Sequence, residues 1–223
     1  MSDIDLDDAR DAVRNVIRQF QGQRAAADPA IVKLTRGKLY ELFVLAWLLR
    51  ELRSRGFYIS LHGTVLSLKQ SPGVIKSGDT YFELQHPATG KQFRLYTDIE
   101  VRTLGSSLTG TAQLCSYHEI DIVVVADTAS GRPAHTELAL GVECKSNVKF
   151  RKSILKEALG VKREMGLLSD IQPSSLASAA GSKLPTVPST PPSEYFVCYV
   201  DSDGDHYALS PAAFGIEFKL LRP

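Results

Sequence analysis

The sequence is poor in cysteine. Its 223 residues include only Cys115, Cys144 and Cys198, which lie far apart and form no C-x-x-C motif. This spacing argues against a disulfide framework and against a cysteine zinc site. It is typical of proteins from a reducing compartment, so we expect a cytoplasmic location.

Long apolar runs and a dominant charge are also missing. The longest apolar run, residues 42–49, is far shorter than the roughly 20 residues that a membrane-spanning helix needs. The first ten residues are acidic and lack the apolar stretch of a signal peptide. The formal net charge is only +1, so the whole-chain balance indicates no partner. We expect no membrane partner.

The spacing of the apolar residues predicts two N-terminal helices. Residues 3–20 have the period of an amphipathic helix, which a connector follows. A second helix begins near Asp28-Pro29 and ends before Gly56, unless Gly37 divides it. The part from 38 to 55 is apolar nearly all round, so we expect it to be buried.

Short strands are predicted for much of the remaining chain. Residues 118–127 are apolar on both strand faces, which favours a central strand that is covered from two sides. The other candidate strands are 57–61, 64–68, 81–86, 93–101, 137–146 and 194–200, and residues 149–166 have helical period. The connections 103–111 and 169–193 are predicted to be loops. The second loop is rich in proline and serine, and we expect it to be mobile. Residues 210–218 are predicted to form a short cap.

This order of elements predicts a mixed α/β protein with a central mixed β-sheet flanked by helices. We expect residues 1–27 to form an N-terminal helix and connector. Residues 28–223 are predicted to form a single domain, with an extra β-hairpin region between about residues 62 and 103.

Two charges lie in an otherwise apolar run. Glu143 and Lys145 are two residues apart within "LALGVECKSNVKF", residues 138–150. Burying a charge without a partner costs several kcal/mol or shifts its pKa. If 118–126 and 137–145 form an antiparallel hairpin, Asp121 lies opposite Glu143, and the period of two places Glu143 and Lys145 on one face.

Two carboxylates and an ammonium in one patch favour a metal site. The carboxylates of Asp121 and Glu143 repel each other unless a cation lies between them. A hard divalent cation such as Mg²⁺, or Mn²⁺ in its place, binds carboxylates, a backbone carbonyl and waters. Lys145 would orient a nucleophile or neutralise developing charge. Phosphodiester hydrolysis is the chemistry that such a site performs.

At these residues the sequence resembles the PD-(D/E)xK nuclease superfamily. Asp121 followed by "VECK", ending at Lys145, matches its signature, although Ile120 stands where a proline is common. The resemblance implies a restriction endonuclease-like core, in which a helix, a three-stranded meander, a second helix and a further strand follow one another. It also implies Mg²⁺-dependent cleavage of nucleic acid. We expect DNA as the substrate and, among restriction, anti-phage defence, repair and mobile-element processing, a role in restriction or defence.

The resemblance assigns roles to individual residues. Asp121, Glu143 and the backbone carbonyl of Cys144 would hold the metal, and Lys145 would position or activate the attacking water. Many members carry a glutamate on the first core helix, and Glu41 matches that place. Glu41 could equally pair with a neighbouring Arg or Lys, and Glu143 with Lys145 could be an ordinary salt bridge.

The segment after the motif is basic. Seven Lys or Arg and two Glu lie between residues 145 and 164, which is either a solvated helix face or a surface for phosphates. We expect duplex DNA as the partner, bound through its backbone, and a homodimer with the N-terminal helix as a candidate interface. The predicted DNA-binding residues are Lys149, Arg151, Lys152 and Lys156.

The sequence leaves one alternative to a nuclease open. This alternative is a non-catalytic module that keeps the fold and binds nucleic acid or another protein.

A second acidic pair, Asp98 and Glu100, shares a strand face with Arg94 and Arg102. We therefore expect Asp98 to take part in cross-strand pairing and not in the site.

Overall fold

The structure of the protein is a computed structural model, which describes residues 6–21, 34–63, 69, 71–110, 113–146, 149–180 and 186–223. Its helices are α1 (Leu6–Gln21), α2 (Arg36–Ser54), α3 (Leu104–Thr109), α4 (Lys152–Glu164), α5 (Ser175–Ala180) and α6 (Leu209–Ala212). Its strands are β1 (Tyr58–His62), β2 (Tyr81–Gln85), β3 (Gln92–Arg102), β4 (Tyr117–Ala126), β5 (Leu138–Lys145), β6 (Leu167–Pro173), β7 (Thr186–Thr190), β8 (Glu194–Tyr199) and β9 (Ile216–Leu220).

One mixed sheet of seven strands forms the centre of the fold, in the order β1-β2-β3-β4-β5-β8-β9. The strands from β1 to β5 pair antiparallel with their neighbours, and β8 and β9 are added in parallel. Parallel neighbours need a crossover, which α4, α5 and the separate β6–β7 pair provide between β5 and β8. The prediction of an α/β protein with a mixed central sheet between helices is confirmed.

Each face of the sheet is covered by a separate hydrophobic core. On one side α1, α2 and α5 pack against strand residues such as Ile122 and Val142. On the other side α4 packs against strand residues such as Val123 and Val197. Each fully buried Val, Ile or Leu side chain stabilises the fold by about 1.5–3 kcal/mol relative to exposure. The prediction that residues 118–127 form a central strand with two apolar faces is therefore confirmed.

The N-terminal helix α1 is part of this core. Its residues Val13 and Val16 are buried, at 0% and 2% exposure, in the cluster that α2 also joins. These two side chains are therefore not available to the homodimer interface predicted from the sequence, which stays a prediction. Among the described residues, no helix is both long enough and apolar enough to cross a membrane.

The second helix and one strand are only partly described. Helix α2 begins at Arg36, one residue before Gly37, and Thr35 caps its start by accepting a hydrogen bond from the backbone N–H of Lys38. The start predicted at Asp28-Pro29 and the strand predicted at 64–68 lie outside the described residues.

Three segments predicted as irregular contain regular structure. Residues 104–109 form α3, because Thr103 caps its N-terminus and Gly110, with φ 66°, ends it in the left-handed conformation. The Pro/Ser-rich segment contains β6, α5 and β7, since buried residues such as Leu176 anchor it to the core. Beyond α6, the predicted cap continues as β9, which pairs with β8. These loop predictions were wrong because tertiary contacts and capping outweighed weak local propensity.

Candidate active site

The hairpin of β4 and β5 brings the signature residues together. The two strands are antiparallel, and their register pairs Ile122 with Val142. Continuing this register places Asp121 opposite Glu143, as the sequence predicts. The backbone N–H of Cys144 donates a hydrogen bond to Asp121 Oδ2 at 2.7 Å, which fixes that carboxylate against β5. A metal-binding role for the Cys144 carbonyl stays a prediction.

Glu143 and Lys145 lie on the α4 side of the sheet, whereas the Cys144 side chain packs into the core on the α2 side. Lys145 Nζ lies 3.2 Å from Glu143 Oε2 and 3.0 Å from Glu157 Oε1 on α4. The hydroxyl of Tyr195 donates to Glu143 Oε1 at 3.1 Å. Each signature side chain is therefore held by a second element, and the shared face predicted from the period of two is confirmed.

The backbone of β3 changes phase at Asp98. Phe93 and Leu95 pack on the α2 side, but Ile99 and Val101 pack on the α4 side, although strict alternation would keep all four on one face. Asp98 has a φ of 54°, an uncommon value for a residue with a side chain. Aspartate tolerates this left-handed conformation better than most residues.

Asp98 does not pair with the arginines that the sequence places on its strand face. Asp98 is 3% exposed and forms its ion pair with Lys38 of α2, not with an arginine across the sheet. The prediction of cross-strand pairing was therefore wrong, and sequence reasoning missed this site residue. The available signal was an aspartate inside a strand pattern, where it is depleted.

Helix α2 contributes both a carboxylate and an ammonium. Lys38 and Glu41 are three residues apart, so they lie on the same helix face. Lys38 Nζ lies 2.6 Å from Glu41 Oε2 and 2.5 Å from Asp98 Oδ1. The pairing of Glu41 with a neighbouring lysine, one of the two sequence alternatives, is present, but the pair lies within a larger acidic group.

Three carboxylates form a candidate metal centre. Glu41, Asp98 and Asp121 each offer an oxygen, and these atoms lie within 4.8 Å of one another. Asp98 Oδ2 is buried and has no hydrogen-bond partner among the described residues. Hard carboxylate oxygens suit Mg²⁺ or Mn²⁺. The donor set and the orphaned oxygen therefore fit a divalent cation, with Asp121 common to this group and to the Glu143 pair.

The crowded carboxylates hold protons more tightly than usual. Burial raises the pKa of Glu41 to about 7, helped by Asp121 and Asp98 and opposed by Lys38. Burial and the charge of Asp121 likewise raise the pKa of Glu143 to about 7. Burial also raises the pKa of Asp121, against the Cys144 amide and Lys145. A cation would relieve this repulsion.

Lys145 keeps its charge in this setting. Burial disfavours its ammonium form, but Glu143 and Glu157 together outweigh burial and raise its pKa. Lys145 is therefore protonated at neutral pH. It can orient a water or neutralise a developing negative charge, whereas it is poorly suited to remove a proton.

A cleft of about 480 Å³ opens beside these residues. Asp98, Asp121, Glu143 and Lys145 line it from the sheet, and Lys156 lines it from α4. Lys156 is exposed, as are the other basic residues predicted to bind DNA, Lys149, Arg151 and Lys152. Of these four basic residues, Lys156 lines the cleft, together with Glu157 and Glu164 of α4.

Comparisons with models of protein families, with curated proteins and with solved structures found no match. The function is therefore inferred from the site itself.

Proposed function

We propose that the protein is a metal-dependent nuclease that hydrolyses phosphodiester bonds of DNA with Mg²⁺, for which Mn²⁺ can substitute. The observation that carries this proposal is the convergence of Asp121, Glu143 and Lys145 with Asp98 at one cleft. A carboxylate oxygen of Glu41 lies within 4.8 Å of those of Asp98 and Asp121. Supporting it, α2, the β3–β4–β5 meander, α4 and β8 follow one another in the order of a restriction endonuclease-like core.

The carboxylates of Asp121, Glu143, Glu41 and Asp98 would hold the metal. A divalent cation in such a site supplies Lewis-acid stabilisation of the charge that develops on a phosphoryl group. The Lys145 ammonium adds a second positive charge at the same cleft and orients the attacking water. Tyr195 and Glu157 hold Glu143 and Lys145 in place.

The exposed basic residues Lys149, Arg151, Lys152 and Lys156 provide the DNA contacts in this proposal. Lysine and arginine side chains bind the phosphate backbone with little sequence information, and such binding weakens as salt increases. Restriction or anti-phage defence is the cellular role that we propose, with a homodimer that cuts both strands.

A second candidate function has its own support. Lys38 and Lys145 are directly paired with carboxylates, so the charges partly satisfy each other without a metal. This pairing favours a module that retains a charged structural network and binds nucleic acid or another protein without cleaving it. Cleavage assays separate the two candidates.

The test is incubation of the purified protein with supercoiled plasmid, linear duplex and single-stranded RNA, in Mg²⁺, in Mn²⁺ or in EDTA. We expect metal-dependent cutting of DNA that is lost in Asp121→Ala and Lys145→Ala. Lys219→Ala is the matched control, because Lys219 is also half-buried and ion-paired, with Glu217, but lies on β9. Cutting that persists in EDTA or in Lys145→Ala contradicts the mechanism, and binding without cutting supports the second candidate.

A further inference from the structure

The Lys38 ammonium lies between carboxylates from two different elements. Its Nζ contacts Glu41 of α2 at 2.6 Å and Asp98 of β3 at 2.5 Å. Both carboxylates belong to the group in which Asp121 is the third member. A positive charge thus already resides beside this group, which shows that the place favours a cation.

One ammonium does not satisfy the three carboxylates. Asp98 is 3% exposed, and its Oδ2 has no hydrogen-bond partner in the described part of the chain. Leaving a buried charged oxygen unpaired costs far more than leaving a solvated one, so such an atom calls for a ligand. The Lys38–Asp98 pair alone therefore does not account for the second oxygen.

The backbone conformation of Asp98 also supports a ligand at this place. A φ of 54° is disfavoured for a residue with a Cβ, and such conformations cluster at sites where ligands bind. With this backbone conformation, a carboxylate oxygen of Asp98 lies within 4.8 Å of those of Glu41 and Asp121.

We propose that the Glu41–Asp98–Asp121 group binds a divalent cation and that Lys38 is the built-in counter-ion which this cation displaces. With the three carboxylates ionised, exchange of a monovalent ammonium for a dication leaves the group one charge closer to neutral. The Lys38 side chain is 16% exposed, and its long stem allows the ammonium to reach solvent when it leaves. Lys38 therefore lowers the affinity of the site for the metal and keeps the carboxylates together in its absence.

This inference rests on the proposed function, because that function explains why the protein would bind a cation here. The test measures cation binding alone. Isothermal titration calorimetry with Mn²⁺ compares the wild type with Lys38→Met and Asp98→Asn. The matched controls are Lys219→Met, which removes an ion-paired lysine on β9, and Glu100→Gln, which changes a carboxylate two residues from Asp98 that pairs with Arg132 instead.

We expect Lys38→Met to bind Mn²⁺ about tenfold more tightly than the wild type, and Asp98→Asn to bind it about tenfold more weakly, as for a coupling of ordinary size. Both controls should bind as the wild type does. The proposal is overturned by any of three results. Lys38→Met binds Mn²⁺ no more tightly than the wild type, Asp98→Asn binds it equally well, or neither the wild type nor Lys38→Met binds it.

Thermal unfolding provides a second measurement, since Lys38→Met leaves carboxylates uncompensated without metal. Mn²⁺ should raise the melting temperature of Lys38→Met, or of Lys38→Gln if the first variant does not fold, by more than that of the wild type. An equal or smaller rise overturns the proposal. If Lys38→Met binds Mn²⁺ more tightly but no form of the protein cleaves DNA, the nuclease proposal is refuted and this inference stands. If the protein cleaves DNA with metal but Asp98→Asn binds Mn²⁺ as the wild type does, this inference is refuted and the nuclease proposal stands.

Discussion

Two groups of buried charged side chains in the described part of the chain differ in their balance of charge and in their access to solvent. The first, the cleft cluster, contains four carboxylates and two lysines beside the cleft of about 480 Å³. Its members are Glu41, Asp98, Asp121, Glu143, Lys38 and Lys145. Negative charge is in excess there. A buried carboxylate oxygen without a partner among the described residues occurs in both groups, Asp98 Oδ2 in the first and Glu194 Oε2 in the second, so the excess of charge and the open cleft distinguish them.

The second group, the serine-linked cluster, contains one acid and one base. Lys162 of α4 donates hydrogen bonds to the carbonyl and hydroxyl of Ser193, and Ser174 donates to Glu194. Burial lowers the pKa of Lys162 to about 8, although Glu194 opposes this, and burial raises the pKa of Glu194 to about 7. These bonds tie α4 and the segment before β8 to the sheet.

The difference indicates what separates a site from a structural network. Both clusters bury ionisable groups and shift their pKa values, so burial and titration alone do not identify a site. Excess charge of one sign at an open cleft calls for a ligand, whereas an equal number of acids and bases enclosed by serines does not. We therefore expect mutations in the cleft cluster to affect chemistry, and mutations in the serine-linked cluster to affect stability.

The largest expected effect is that of Lys145→Ala on cleavage. Loss of a positioned charged group at the reaction centre should lower the single-turnover rate about 10³-fold. The free energy of unfolding should change by less than about 1 kcal/mol, because Glu143 can bind a proton instead. Quenched-flow cleavage assays and urea denaturation measure the two quantities. A large loss of stability with little loss of rate would assign Lys145 to structure.

Lys162→Met should have the opposite effect. Removing one member of a buried polar network should lower the free energy of unfolding by about 3 kcal/mol, because Ser193 and Glu194 remain buried without it. Cleavage per folded molecule should stay within about threefold of wild type, well below the effect of losing a catalytic group. Lys219→Met is the control, for which we expect less than about 1 kcal/mol. Equal stability of the two variants in urea would remove the distinction between the clusters.

The pH dependence of stability tests Glu194. Its pKa is about 7 in the folded protein against an ordinary value of 4.5, so the folded state binds more protons than the unfolded state between these values. This group therefore lowers stability by about 2 kcal/mol as the pH rises from about 5 to 8.

Glu194→Gln removes that contribution. Its stability should fall less than that of the wild type over this pH range, while Glu41 and Glu143 contribute equally to both proteins. Urea denaturation at a series of pH values measures the difference. Parallel curves for the two proteins would show that Glu194 does not titrate in this range.

The smallest effect is expected at the exposed basic residues predicted to bind DNA. The double variant Lys149→Ala with Arg151→Ala should weaken binding of any duplex and reduce the slope of log affinity against log salt by about 2. Fluorescence anisotropy at several salt concentrations measures this slope. Lys91→Ala, which removes an exposed lysine in the turn between β2 and β3, is the control. A slope that the double variant leaves unchanged would place the DNA elsewhere.

Local patterns were sufficient for about half of the candidate site. The alternation of β5 and the apolar hairpin predicted that Asp121, Glu143 and Lys145 share a place, because a strand has a fixed period of two. The apolar character of α2 indicated that Glu41 is buried. Asp98 was missed because its partner Lys38 comes from a helix, and the alternation of a strand carries no information about contacts with another element.

The sequence by itself determined the α/β class, the β4–β5 hairpin and the buried charges on it, since each follows from the spacing of apolar residues over a few positions. Only the tertiary structure decided that Lys38 of α2 meets Asp98 of β3, sixty residues apart, and that Lys145 meets Glu157. Contacts between distant elements depend on how helices pack on a sheet, and no local pattern records that packing.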